Sequence, residues 1–366
     1  KRIGCLKQQS GREMSKEQEI ISSVDGPVGR IHLNKAEALN ALSLGMCQTM
    51  LEVLNTWRND DSIQLVVVTS EGNRAFCAGG DVRQVALSGR DDPVKARQFF
   101  SIEYNLDAVI NEFPKPYLCL IDGIVMGGGL GISVNGRYRV MGGNTVAAMP
   151  ETGIGLLPDV GATRFLNDCP GRIGLYLGLT GARLNTADAI YAGFGTHYVP
   201  SDQHTALLNA LEAGNYKDGG FEMVNRILED FTMDAGESSL KASRSDIDRL
   251  FSEDDLEAIV STLERDQSEL ASASLSALDK MSPTSLKITA RQLTQFSSVS
   301  LREALVLEYR LVSQVLLRPE FYEGIRAALI DKDRNPSWKP ASLPDVTTEY
   351  IDGYFASIGD QELILN

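Results

Sequence analysis

Two stretches of this sequence repeat one instruction: a short apolar run, then clustered glycines, then residues able to open a helix. The first is Leu65-Val66-Val67-Val68, followed by Ala75-Phe76-Cys77-Ala78-Gly79-Gly80-Asp81. The second is Tyr117 to Ile121, followed by Asp122-Gly123-Ile124-Val125-Met126-Gly127-Gly128-Gly129-Leu130-Gly131. Continuous apolar runs of this length, bounded by turn residues, read as strands buried on both faces. Glycines directly after such a strand let the backbone approach a ligand closely and present its N–H groups, because no Cβ stands in the way. A chain with this pattern is expected to build an α/β core, here from Ile20 to about Val199.

The flanking sequence agrees. Ile20–Val24 and Arg30–Leu33 surround Asp25-Gly26-Pro27 and predict a hairpin. Ser43 is a helix cap, followed at helical spacing by Met46, Met50, Val53, Leu54 and Trp57. Beyond Glu212 glycine thins out and helical, Ser- and acid-rich segments take over. Leu250 to Ala277 is amphipathic, Ser300 to Glu303 forms a capping box, and Pro319 ends the helix it opens. Ser238 to Ser245 reads as a mobile polar linker, and Pro336 to Pro344 as a surface segment. The expected division is an N-terminal extension (1–17), a core (18–215) and a C-terminal helical region (216–366) covering the site.

Composition narrows the function. The formal net charge of −14 over 366 residues argues against binding nucleic acid or an anionic membrane, so an anionic ligand must meet a local basic patch. Five scattered cysteines without a CxxC pair suggest neither a disulfide framework nor a zinc ribbon, and point to an intracellular chain. His32, His197 and His204 have no metal-ligand spacing, which makes a metal site or a Ser-His-Asp triad an unfavoured reading. No apolar run reaches the 18 residues of a membrane span, so a soluble protein is expected. Lys1 to Arg12 is basic and free of acids: the remnant of an organelle transit peptide or an upstream cloning segment, with Met14 as the native start.

The chemistry-bearing residues fall in three constellations. The Gly79-Gly80 turn and the Gly127-Gly128-Gly129 cluster each offer backbone N–H donors able to polarise a carbonyl; tight packing is the competing reading of both. The second is no dinucleotide fingerprint, since its third glycine is misplaced. The third, Met149-Pro150-Glu151-Thr152-Gly153-Ile154-Gly155-Leu156-Leu157-Pro158-Asp159-Val160-Gly161, sets two carboxylates eight residues apart in an apolar loop. Either both cap turns, or partial burial raises one toward the working range of an acid or base.

AFCAGGD, GIVMGGGLG and MPETGIGLLPDVG, in that order and spacing, resemble the crotonase superfamily, the enoyl-CoA hydratases and isomerases. The resemblance implies a spiral of ββα units over 18–215 and an acyl-CoA substrate whose thioester oxygen sits between the N–H groups of Gly80 and Gly128. It implies Glu151 and Asp159 as catalytic carboxylates, with Glu103, Gly128, Glu151 and Asp159 contacting substrate. On residues alone, Glu103 is an acid on the solvated side of an amphipathic helix. Asn34 to Leu42 is similar to the family's segment near bound coenzyme A, and Lys35 and Lys287 are candidates for the CoA phosphates. Hydratases of the superfamily carry a second glutamate three residues after the oxyanion glycine, where this chain has Gly131. That departure, with Lys280 to Thr289, Glu308-Tyr309-Arg310-Leu311, Gly324 to Ala327 and Leu329 to Asp333, matches the family's hydrolases of 3-hydroxyisobutyryl-CoA. The implied activity is thioester hydrolysis with no cofactor beyond the CoA of the substrate. The alternatives are a hydratase or isomerase using Glu151 alone, and a non-catalytic acyl-CoA- or RNA-binding relative. A homo-oligomer, and a place in the cytoplasm of a bacterium or the mitochondrial matrix of a eukaryote, complete the expectation.

Overall fold

The structure, a computed structural model, describes residues 18–90 and 92–365; the basic stretch Lys1 to Arg12 lies outside them. Among the described residues nine strands form two sheets. They are β1 (Ile20–Asp25), β2 (Val28–Leu33), β3 (Leu65–Ser70), β4 (Ala75–Cys77), β5 (Tyr117–Ile121), β6 (Ile124–Met126), β7 (Tyr138–Met141), β8 (Val146–Ala148) and β9 (His197–Tyr198). The larger sheet runs β1-β2-β3-β5-β7-β9 and the smaller β4-β6-β8. Of the ladders between these strands only the β1–β2 hairpin is antiparallel, with Asp25 opposite Val28 and Gly26 at φ 59° in the turn. From β3 onward each turn of the chain gives one strand to the large sheet and the next to the small one: β3 and β4, β5 and β6, β7 and β8. This is the expected spiral, and it stacks the loops after β4, β6 and β8 side by side.

The uninterrupted apolar strands are explained by two cores. Val66 and Val68 of β3, with Cys119 and Ile121 of β5, face the main core. Leu65, Val67, Leu118 and Leu120 face a smaller one closed by the helices His204–Glu212 and Gly220–Phe231. Each fully buried Val or Leu contributes roughly 1.5–3 kcal/mol. Helix α1 (Leu44–Trp57) starts where expected: the Ser43 hydroxyl accepts the Met46 N–H at 3.1 Å, and Met46, Met50, Leu54 and Trp57 are buried.

Helices α2 (Val82–Gly89) and α3 (Pro93–Asn111) follow the first glycine turn, and α4 (Gly128–Val134) follows the second. α3 is no surface helix. α1, α2, α4 and the helix Leu301–Val315 all lie against it, so Phe99, Phe100, Glu103, Tyr104 and Asp107 are all interior. The main core runs without interruption from Ile20 to Leu363.

The C-terminal half is helical, as expected, and departs from expectation at one place. The amphipathic stretch Leu250 to Ala277 holds the helices Leu256–Arg265 and Glu269–Leu278, each opened where a side chain, Asp255 or Ser268, accepts the backbone N–H of Ala258 or Ala271. Ser238 to Ser245 is not a free linker. Ser238, Ser239 and the Leu240 N–H all donate to the buried Asp188 carboxylate, at 2.7, 2.9 and 2.8 Å, and short helices form on either side of Ser243. The capping box at Ser300 and Glu303 is present, and Pro319 opens the next helix after the break at Val315.

Candidate active site

The segment Leu39 to Leu42 lies beside the first glycine turn and braces it. Ala78 N–H donates to the Leu39 carbonyl, Leu42 N–H to Gly79 and Asp81 N–H to Leu42, at 3.0, 2.8 and 2.8 Å. Asn40, itself at φ 54°, ties down the far end of β4 through the Ala75 carbonyl at 3.0 Å. This leaves the Gly80 N–H with no acceptor among the described residues, and the Gly128 N–H at the start of α4 likewise.

The two turns meet. A Cβ on Gly128 would stand 3.2 Å from the Gly80 nitrogen and would collide with Glu103 Oε1. One on Gly127 would stand 2.8 Å from Glu151 Oε1, and one on Gly129 would overlap the Cys77 carbonyl. All three glycines are therefore demanded by close approach, the middle one by the other free amide and an acid.

Glu103, Gly80, Gly128, Glu151 and Asp159 line one cavity of about 180 Å³, walled by Phe99, Phe100, Met126, Pro150, Ile154, Leu156 and Leu329. A larger surface groove, of about 710 Å³, contains none of the three carboxylates gathered here. Glu151 opens a single 3₁₀ turn after β8, and Asp159 follows Pro158 in the same loop. Burial pushes the Glu151 carboxyl well above its usual range, with the Asp159 charge adding to it. Burial also raises Asp159, to about 7, although the Tyr104 hydroxyl, donating to Oδ2 at 2.6 Å, pulls the other way. Glu103 is raised by burial and then by Asp159 and Glu151. Glu103 Oε1 and Glu151 Oε2 are buried and have no hydrogen-bond partner among the described residues. Carboxyls so desolvated hold protons near neutral pH or stand ready to use their charge.

Glu103, read from residues alone as solvated, is 2% exposed because its face of α3 is turned onto the two glycine turns, with Oε1 against Gly80 and Gly128. Lys35 and Lys287 stand apart from the cavity lining. The Lys35 ammonium pairs with Glu19 at 2.9 Å and Asp81 at 3.4 Å, next to the Gly80 turn. Lys287 pairs with Glu257 at 2.5 Å and donates to the Val346 carbonyl at 2.7 Å. The three histidines also lie outside the cavity lining. Four residues with no assigned role in the sequence reading join the site. Tyr104 holds Asp159, and Asp107, one helical turn after Glu103, is fully buried with its pKa raised by burial. Leu329 closes the cavity, and Glu308 bonds the loop after Asp159. The i, i+4 spacing of Glu103 and Asp107 is a readable signal; Glu308 and Leu329 sit inside the Glu308-to-Leu311 and Leu329-to-Asp333 motifs.

The enoyl-CoA hydratase/isomerase family model matches residues 28–355. The chain belongs to that family. Curated relatives of this family member include the mitochondrial 3-hydroxyisobutyryl-CoA hydrolases of Xenopus tropicalis, 45% identical over 96% of this chain and 92% of that protein, and of Homo sapiens, 40% identical over 94% and 90%. Among solved structures, the family member resembles a carnitinyl-CoA dehydratase from Mycobacterium thermoresistibile, with a TM-score of 0.89 and 38% identity over 95% of this chain and 99% of the other. An enoyl-CoA hydratase from Rhodobacter sphaeroides 2.4.1 gives 0.88 and 39%, over 95% and 100%.

Proposed function

We propose that this protein hydrolyses a small branched β-hydroxyacyl-CoA thioester, 3-hydroxyisobutyryl-CoA, to 3-hydroxyisobutyrate and CoA, the reaction named for its curated relatives and a step of valine catabolism. The reading rests on one observation: two backbone amides without acceptors and three desolvated carboxyls converge on one small apolar cavity. The thioester oxygen accepts from the Gly80 and Gly128 N–H groups, whose hydrogen bonds strengthen as negative charge develops on it; losing one such donor costs about 10²–10³ in rate. Glu151 attacks the carbonyl carbon, or takes a proton from the water that does. The C–S bond breaks, and Asp159 orients the water or substrate hydroxyl and shares in proton transfer to the departing thiolate. Single-turnover hydrolysis in H₂¹⁸O separates the two routes, since only the covalent one leaves label in the Glu151 carboxyl. No cofactor is needed beyond the CoA carried by the substrate.

A hydratase reading, suggested by the two solved relatives, is disfavoured at position 131. A Cβ there would stand 2.7 Å from the Val160 Cβ and 3.0 Å from Asp107 Oδ1, so the space for a second glutamate is filled. The helices after residue 215 are proposed to cover the site, and the compartment follows the reaction: mitochondrial matrix in a eukaryote, cytoplasm in a bacterium. Among the described residues no helix is long and apolar enough to cross a membrane. The test is Glu151→Gln, assayed by CoA release and by calorimetric binding of the CoA ester. Hydrolysis should vanish while binding stays near wild type; full activity refutes the role of Glu151. Loss of enoyl absorbance without CoA release would favour the hydratase.

A further inference from the structure

The Glu308-Tyr309-Arg310-Leu311 motif has no part in the mechanism above, yet Glu308 is fully buried and its carboxyl accepts three hydrogen bonds. It accepts the Gly161 N–H at 2.7 Å, the Thr163 N–H at 2.8 Å and the Thr163 hydroxyl at 2.7 Å. Those donors lie two and four residues beyond Asp159. The residue between, Val160, is β-branched and has φ 55°, a left-handed conformation such a side chain adopts only when its surroundings impose it. The surroundings can be named. Gln292 donates to the Pro158 carbonyl and to Thr163 Oγ1, both at 2.8 Å, and Asn135 donates to the Val160 carbonyl at 3.0 Å. Of these three clamping side chains, Glu308 alone is an acid. Only a group with two acceptor oxygens and no donor can take three converging donors; an amide in its place would turn an NH₂ toward an N–H.

We propose that Glu308 is a positioning residue for the hydrolysis: from the C-terminal helical region it holds the Pro158–Thr163 loop in the strained turn that aims Asp159 at the thioester. The proposal rests on the reading that Asp159 acts in the reaction. Released from Glu308, Val160 is free to leave the left-handed region, and the side chain on either side of it moves. Asp159 is the neighbour with chemistry to lose, and a displacement of about 1 Å is enough to cost about 10²-fold in rate.

The experiment measures CoA release from 3-hydroxyisobutyryl-CoA by the wild type, Glu308→Gln, Thr163→Val, Asp159→Asn and the Glu308→Gln/Asp159→Asn pair, with unfolding temperature and calorimetric affinity for free CoA alongside. Glu308→Gln should lower kcat about 10²-fold while KM and CoA affinity stay near wild type. Thr163→Val, which removes one of the three donors, should lower kcat about tenfold. In the Asp159→Asn background the Glu308 substitution should cost no further kcat, as it does for residues acting through one another. Wild-type kcat in Glu308→Gln, or a full additive loss in the pair, overturns the proposal. If Glu308→Gln does not fold, Thr163→Val decides: a wild-type kcat there overturns it equally. An inactive Asp159→Asn beside a fully active Glu308→Gln removes this proposal alone, whereas a fully active Asp159→Asn removes the reading of Asp159 and this proposal with it.

Discussion

Gly128→Ala adds one methyl where the two glycine turns meet. Gly128 does not have a positive φ and is the first residue of a helix, so its backbone accepts alanine without strain. The cost is therefore local to the site. The new Cβ would lie 3.2 Å from the Gly80 nitrogen, 3.3 Å from Leu42 Cδ1 and in collision with Glu103 Oε1. Leu42 is held by its backbone bonds to Gly79 and Asp81, and Glu103 is enclosed, so the methyl must push the amides apart or stand between them. At least one donor to the thioester oxygen is lost, which corresponds to about 10²–10³ in kcat, or about 2.7–4 kcal/mol of transition-state stabilisation. The control is Gly45→Ala in the first turn of α1, where the nearest atom to a new Cβ is Ser43 Oγ at 3.7 Å; there kcat should be unchanged. The assay is initial-rate CoA release with circular dichroism and thermal unfolding on the same samples. A Gly128→Ala protein with native-like spectra and kcat within tenfold of wild type would refute the two-amide geometry as the source of rate.

Two further outcomes follow from the same cavity. Asp107 is pushed up by burial, then by Glu103, Asp159 and Glu308, so the folded chain keeps a proton that the unfolded chain releases above about pH 4. Stability from that proton falls as pH rises from about 4 toward the raised folded value, by up to about 1.4 kcal/mol per pH unit. Asp107→Asn lacks this slope, so its unfolding temperature relative to wild type should rise between pH 5 and pH 8; parallel curves would show that Asp107 is ionised in the fold. Leu329 is the cavity wall supplied by the π-helical turn Arg326–Ile330, which the Arg326 guanidinium ties to Glu323, Asp331 and Asp333. Leu329→Ala should shift the ratio of kcat/KM toward longer β-hydroxyacyl-CoA esters by about tenfold or more, since one methylene alone is worth about 1–3 kcal/mol. An unchanged ratio across an ester series would remove Leu329 from the acyl pocket.

What could be read in advance was local or carried by a short motif. The β1–β2 turn, the Ser43 cap and the doubled strand-and-glycine pattern act within a few residues, so the chain states them directly. The contents of the cavity are different. Glu103 looks solvated on its own helix because what buries it, the two glycine turns and the loop of Glu151 and Asp159, lies about twenty to fifty positions away in the chain and meets it only in the fold. Ser238 to Ser245 looks free because its partner, Asp188, is a distant single carboxylate. The partners of Lys35 and Lys287, the acids Glu19 and Glu257, are likewise set by the fold and not by neighbours in the chain.

The proton content of the cavity decides whether its amides can work. Glu103 Oε1 lies close to where a Gly128 Cβ would stand, beside the amide proposed to hold the oxyanion. Two like charges about 4 Å apart repel by about 4 kcal/mol at an effective dielectric of about 20, as much as a single oxyanion donor contributes. An ionised Glu103 would cancel one of the two amides. Burial in the apolar cavity, walled by Phe99 and Phe100, raises its pKa and so favours the neutral carboxyl, the form that leaves that donor's full effect for the oxygen it is proposed to hold. The apolar wall thus has two consequences at once. It bounds the space proposed for a small acyl group, and by excluding water it favours the neutral form of Glu103 beside the Gly128 amide, so any change that wets the cavity should cost rate even where no side chain proposed to touch the thioester is altered.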